Sequence, residues 1–166
     1  MSESDDEPRE PTPEQALNAL TNLLKDVLDG LTMVELYPKS GIVSQRFLDA
    51  GAEQAVCVTD DKPEDPVDED GMIWLPMDPV DFMEEERVQD VGMIYSSPPD
   101  GADQNRDIIE RLPKTQILQD NCLVILEEPV WNYTIVEDYN YLDEIEANEY
   151  DRTRVTVTQM VSAMGF

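Results

Sequence analysis

At 166 residues the chain is long enough for one domain with a real core and too short for two. It carries 38 acidic against 11 basic residues and no histidine, a formal net charge of -27, even though 40% of its residues are hydrophobic. Such a surface repels phosphate backbones and disfavours unaided binding to nucleic acid.

Two origins of this charge stand side by side. Four of the basic residues are lysine, which suits an organism with high internal salt, where a Debye length of about 3 Å at molar ionic strength makes a dense carboxylate surface tolerable. The other origin is a basic protein partner. No apolar run of about 18 residues occurs, and the opening M-S-E-S-D-D-E-P-R-E holds no apolar signal region, so a cytoplasmic protein without a membrane span is expected.

Residues 1–10 are polar, acidic and broken by Pro8, which predicts a disordered tail before a single domain over residues 11–166. Thr12 then stands as a helix cap before Pro13, and Ala16, Leu17, Leu20, Leu23, Leu24, Val27 and Leu28 form a helical stripe that ends at Gly30. Residues 33–36 read as a buried strand and 40–50 as a helix stopped by Gly51. Residues 55–59 read as a second strand. Strand, helix and strand so close together predict a right-handed parallel crossover.

Residues 60–71, D-D-K-P-E-D-P-V-D-E-D-G, hold two prolines and seven carboxylates. No helix can cross them. Asp65, Asp68 and Asp70 lack the order of a calcium loop and its terminal glutamate, so a solvated acidic loop is expected and no metal site. A third strand follows at 72–75, a short helix at 79–88, a fourth strand at 91–95, a helix at 103–118 disturbed by Pro113, and a fifth strand at 122–126. Cys57 and Cys122 lie in apolar strands and read as free buried thiols. Two alternating stretches, 141–148 and 154–160, predict a closing hairpin on the sheet edge. The fold class expected is α/β: a mostly parallel seven-stranded sheet with a C-terminal antiparallel hairpin and helices on both faces.

Several short motifs fall in a telling order. R-E-P-T-P-E-Q over residues 9–15 precedes the leucine-rich helix, M-V-E-L-Y-P-K-S-G spans 33–41, L-D-A-G-A spans 48–52, V-G-M-I-Y-S-S-P-P-D spans 91–100, and D-R-T-R-V-T spans 151–156. This set resembles, in order and near register, the motifs of the RsmD family of Rossmann-like class I S-adenosylmethionine-dependent methyltransferases. In that family they read R-P-T-x-D-R, V-L-D-L-F-A-G-S-G, L-S-R-G-A, F-D-L-V-F-L-D-P-P-Y and G-x-T-R-L-S. The family methylates the exocyclic amine of a guanine in small-subunit ribosomal RNA.

The resemblance implies S-adenosylmethionine as cofactor. It would be held by Glu35 at the end of the first strand, Tyr37, Ser40 and Gly41 in the turn, Asp60 beside the ribose position, and Asp78 facing the adenine amine. It also implies that Ser97, Pro98, Pro99 and Asp100 stand at the catalytic motif, where a side chain and a proline carbonyl accept from the target amine and an aromatic stacks on the flipped base.

The motifs are degenerate where that chemistry would be. Pro38 and Lys39 replace Ala-Gly in the turn, and the lysine side chain is expected to enter the methionine pocket. Thr59 stands at the ribose acid, the following helix is replaced by the acidic loop, and Asp100 offers no stacking face. Tyr95 is expected to point along its strand. Each surviving residue also has a structural role open to it: Glu35 and Asp78 at helix N-termini and Pro98-Pro99 as a rigid loop. The expectation is a methyltransferase-like protein, non-catalytic or weakly active, acting through its acidic surface on a basic protein. The alternative is an active RNA methyltransferase from a high-salt organism, with ribosomal RNA or a ribosomal particle as its partner.

Overall fold

The computed structural model describes residues 10–161. The expected tail over 1–10 therefore lies outside the described residues except for Glu10. Along the chain run α1 (Glu14–Leu24), β1 (Thr32–Leu36), α2 (Ile42–Asp49), β2 (Gln54–Val58), β3 (Met72–Leu75), α3 (Pro79–Glu84), β4 (Val91–Ser96), α4 (Ala102–Ile109) and β5 (Leu118–Pro129). A short 3-10 turn (Val136–Asp138) precedes β6 (Leu142–Tyr150) and β7 (Thr153–Met160). The strands form one seven-stranded sheet in the order β3-β2-β1-β4-β5-β7-β6. β1 to β5 pair parallel, whereas β7 is antiparallel to both β5 and β6.

The two-residue period of a strand sorts the side chains between two cores. Val34, Leu36, Val56, Val58, Ile94, Val124 and Leu126 face Phe82 and Met83 of α3 and Ile108 and Ile109 of α4. Met33, Ala55, Met93, Tyr95, Leu123 and Ile125 face Ala16, Leu17, Leu20 and Leu24 of α1 and Val43 and Phe47 of α2. Helices therefore cover both faces, as expected. Cys57 and Cys122 are free and buried, and no helix among the described residues is long and apolar enough to cross a membrane.

Several boundaries differ from the sequence pattern, among them the end of α3, which stops at Glu84 and not at 88. α1 ends at Leu24; the chain tightens there, with Val27 N–H donating to the Leu24 carbonyl, and Leu28 is buried from a turn instead of a helix. Thr12 does not cap α1: Pro13 is the capping residue, and the Thr12 hydroxyl donates to Glu127 at 2.7 Å. α4 stops at Ile109, short of Pro113, and β5 begins already at Leu118. The acidic segment 60–71 is a loop, and Val67 N–H donates to the Ser40 carbonyl at 2.8 Å while Trp74 Nε1 donates to the Val67 carbonyl at 3.0 Å. The loop is thus tied down over the turn that begins α2.

Candidate functional site

In an open α/β sheet the ligand crevice lies at the carboxyl ends of the strands, where the order reverses, here between β1 and β4. A cavity of about 700 Å³ opens beside this point, on the β4 and β5 side. Lys39 from the β1–α2 turn, Ser97, Pro98, Pro99 and Asp100 after β4, Glu127 and Glu128 at the end of β5, and Trp131, Asn132 and Arg152 from the following loops all line it. The four residues expected at the catalytic motif are therefore brought together in one cavity.

The floor of this cavity follows from strand alternation. Leu126 faces α4, so Glu127 must face α1 and Glu128 must face α4 again. Glu127, 4% exposed, accepts hydrogen bonds from Thr12 Oγ1 at 2.7 Å and Tyr95 Oη at 2.6 Å, and it forms an ion pair with Lys39. Tyr95 is fully buried and stands off the sheet toward α1, not along its strand. Burial opposes ionisation of Glu127, but the Lys39 ammonium and the hydrogen bonds from Lys39, Thr12 and Tyr95 outweigh it and hold the carboxyl below its ordinary range. Glu128, on the other face, accepts from Asn105 Nδ2 at 2.9 Å, Thr134 N at 2.9 Å and Thr134 Oγ1 at 2.6 Å; Ser96 Oγ in turn donates to Asn105 Oδ1 at 2.5 Å. Two adjacent buried carboxylates are thus satisfied on opposite faces.

The wall after β4 is stitched to the loop after β5. Asn132 Nδ2 donates to the Asp100 carbonyl at 2.8 Å, and Ala102 N–H donates to the Asn132 carbonyl at 3.1 Å. Gly101 sits at φ +61°, and a Cβ there would meet the Asn132 carbonyl oxygen at 2.5 Å and Pro129 Cδ at 2.7 Å, so only glycine permits this approach. The Pro98 carbonyl accepts from Gly101 N at 3.3 Å, and Gln104 Oε1 accepts from Asp100 N at 2.7 Å. Ser97 is buried and its N–H donates to the Leu36 carbonyl at 3.2 Å, extending the β1–β4 pairing.

The residues expected at the cofactor divide into three groups. Glu35 faces α2, where its Oε1 accepts from Ser44 Oγ at 2.7 Å and Ser44 N at 3.2 Å. Burial pushes its pKa up to about 7 against the pull of the two Ser44 hydrogen bonds, with the Glu127 charge adding to the rise. Ser40 and Gly41 begin α2: Ser40 Oγ accepts from Ile42 N at 3.3 Å, and a Cβ on Gly41, at φ +98°, would meet the Trp74 ring at 2.9 Å. Tyr37, Asp60 and Asp78 make up the third. Tyr37 adopts a left-handed backbone, φ +56°, and burial raises its phenol to about 12, helped by the nearby charges of Asp78, Asp107 and Asp60. Asp78 caps α3, its side chain accepting from Asp81 N at 3.1 Å. Among the described residues no cluster of acidic or thiol groups is arranged to hold a metal ion.

Sequence reading missed Glu127, Glu128, Trp131 and Arg152. Trp131 is the most visible in hindsight, a large aromatic in P-V-W-N-Y directly after an apolar strand, and it is 66% exposed. The Arg152 guanidinium lies over its ring, 5.1 Å from the centroid.

No protein-family model matches the chain, and no curated protein matches it. Solved structures do. The fold superposes with a TM-score of 0.76 on yhhF from Escherichia coli, described provisionally as a methyltransferase, at 15% identity over 91% of this chain and 87% of that one. HI0767 from Haemophilus influenzae, described provisionally as a methylase, gives 0.74 at 13% identity over 92% of each chain. SMU.776, a provisional methyltransferase solved with SAH, gives 0.68 at 15% identity over 87% of this chain and 49% of its own. Likeness at these identities establishes the fold, which is the Rossmann-like one of these methyltransferase structures.

Proposed function

We propose that residues 11–166 are one cytoplasmic domain with a methyltransferase fold that has lost S-adenosylmethionine-dependent turnover, and that the protein acts as an acidic partner of basic proteins. Lys39 carries this reading. At a turn position where glycine would leave the backbone open to a methionine tail, its ammonium reaches to Glu127 on β5. Separating that pair to admit a ligand would leave a carboxylate only 4% exposed without its counter-ion, and breaking a buried pair costs about 3–5 kcal/mol.

The neighbouring groups support the same reading. Glu35 is engaged with Ser44 on the α2 side, Gly41 is covered by the Trp74 ring, and the Pro98 carbonyl is engaged by Gly101 N–H. On this reading the residues present do not fit the amino-acid end of S-adenosylmethionine. The formal charge of -27 also opposes docking on a phosphate backbone.

A second reading rests on Tyr37. The charges of Asp78 and Asp60 reach its phenol, which suits the adenosine end of the cofactor and an active RNA methyltransferase working in high salt. Isothermal titration with S-adenosylmethionine at low and at molar salt separates the two. Absence of binding up to millimolar cofactor supports the silent fold, and micromolar binding at either salt overturns it.

A further inference from the structure

The cavity beside β4 and β5 has the size of a ligand site, about 700 Å³. Its floor is closed electrically, because Glu127 is paired with Lys39 and Glu128 is saturated by Asn105 and Thr134. What remains at the mouth is an exposed indole, Trp131, and the exposed carboxylates Glu10, Asp100 and Asp103. Arg152 is the exposed cation there, and among the described residues it forms no ion pair; its guanidinium lies over Trp131 instead.

We infer that this mouth receives an arginine side chain of a basic polypeptide partner, its guanidinium stacking on Trp131 and facing Asp100 and Asp103. Three features select that occupant. The aromatic face is already used by a guanidinium within the molecule, so the geometry for planar stacking exists. The net negative rim favours a cation and disfavours a nucleotide phosphate. Hydrogen bonds between the loop 100–102 and Asn132 tie together the two segments that carry the carboxylates and the indole, and all three side chains belong to residues lining the same cavity. Arg152 thereby becomes an internal competitor: it occupies the ring and adds like charge against the incoming group.

The inference rests on the proposed acidic-partner role, and its test does not involve the cofactor. The full chain has two tryptophans, and the Trp74 indole N–H is held by the Val67 carbonyl, which makes it an internal reference. In 15N-resolved NMR at physiological ionic strength, Nα-acetyl-arginine amide should shift the Trp131 indole signal saturably and leave that of Trp74 in place. The isosteric neutral Nα-acetyl-citrulline amide should shift neither.

Asp100→Asn with Asp103→Asn should weaken the arginine probe about threefold, and Arg152→Ala should tighten it about two- to threefold, as expected for an exposed cation–π and charge contribution. Asp26→Asn with Asp29→Asn should change its affinity less than about twofold. That loop precedes β1, at the amino ends of the strands, and the length of β1, five residues at about 3.3 Å each, exceeds the Debye length of about 8 Å. An unmoved Trp131 signal, an equal response to citrulline, an equal loss in the distal loop variant, or a stronger response to guanosine than to arginine would each overturn the inference. None of these outcomes bears on whether S-adenosylmethionine binds, so a failure here and a failure of the silent-fold reading are separate results.

Discussion

Replacing Glu35 by glutamine turns the buried acid at the end of β1 into a measurable quantity. Its Oε1 accepts two hydrogen bonds from Ser44, and the amide oxygen of glutamine can accept both. What the substitution removes is the ionisation. Burial raises the Glu35 pKa from 4.5 to about 7 in the folded protein, so between these values the native state holds a proton that the unfolded chain has released. Stability from this group is therefore fully present below about pH 4.5 and is lost as pH rises through about 7.

At about 1.4 kcal/mol per tenfold change in the acid constant, the rise corresponds to a loss on the order of 3 kcal/mol. No discount for solvent screening applies, because Glu35 is fully enclosed. Two neighbouring groups do not titrate in this window: burial pushes Cys57 up to about 12, and Glu127 is held below its ordinary range. Urea unfolding followed from about pH 5 to about pH 8 should show the wild type losing on the order of 3 kcal/mol relative to Glu35→Gln, with equal m values. The difference cancels the contribution of the other acidic residues. It should also persist in molar salt, since a buried group is little screened. Parallel pH dependences of the two proteins would refute the account of Glu35 as a protonated structural acid.

Lys39→Ala should destabilise the protein by about 3 kcal/mol at neutral pH by stranding the Glu127 carboxylate, and adding Glu127→Gln should recover most of that loss in a double-mutant cycle. Gly101→Ala should cost more than about 2 kcal/mol in thermal or urea unfolding, because its Cβ would meet the Asn132 carbonyl oxygen and Pro129, both of which are fixed by β5 and its loop.

The sheet was legible because its first four strands are short apolar runs separated by turn residues, and 33–36, 55–59, 72–75 and 91–95 all fall within a residue or so of β1 to β4. β5 was half legible. Its apolar centre shows, but Gln119, Asp120 and Asn121 at one end and Glu127 and Glu128 at the other look like surface, and only pairing with β4 and β7 reveals them as strand. The two glutamates were missed because their partners lie far along the chain: Thr12 and Lys39 are 115 and 88 positions from Glu127, and Asn105 is 23 positions from Glu128. A buried carboxylate carries no local pattern, unlike a buried leucine. Thr12 illustrates the converse. Its capping signature was correct as sequence, yet a buried acceptor in the core took the hydroxyl instead. The residues 97–100 line one cavity because they are contiguous; Trp131, which also lines it, comes from the loop after β5, and no spacing rule joins the two.

The central claim is that Lys39 and Glu127 occupy the ground a cofactor's amino-acid end would need. Titrating S-adenosylmethionine into the wild type and into Pro38→Ala, Lys39→Gly, Glu127→Gln, at low and molar salt, tests it most directly. The account predicts no heat of binding for the wild type at either salt and a detectable isotherm for the variant with the opened turn. Micromolar binding by the wild type would contradict it.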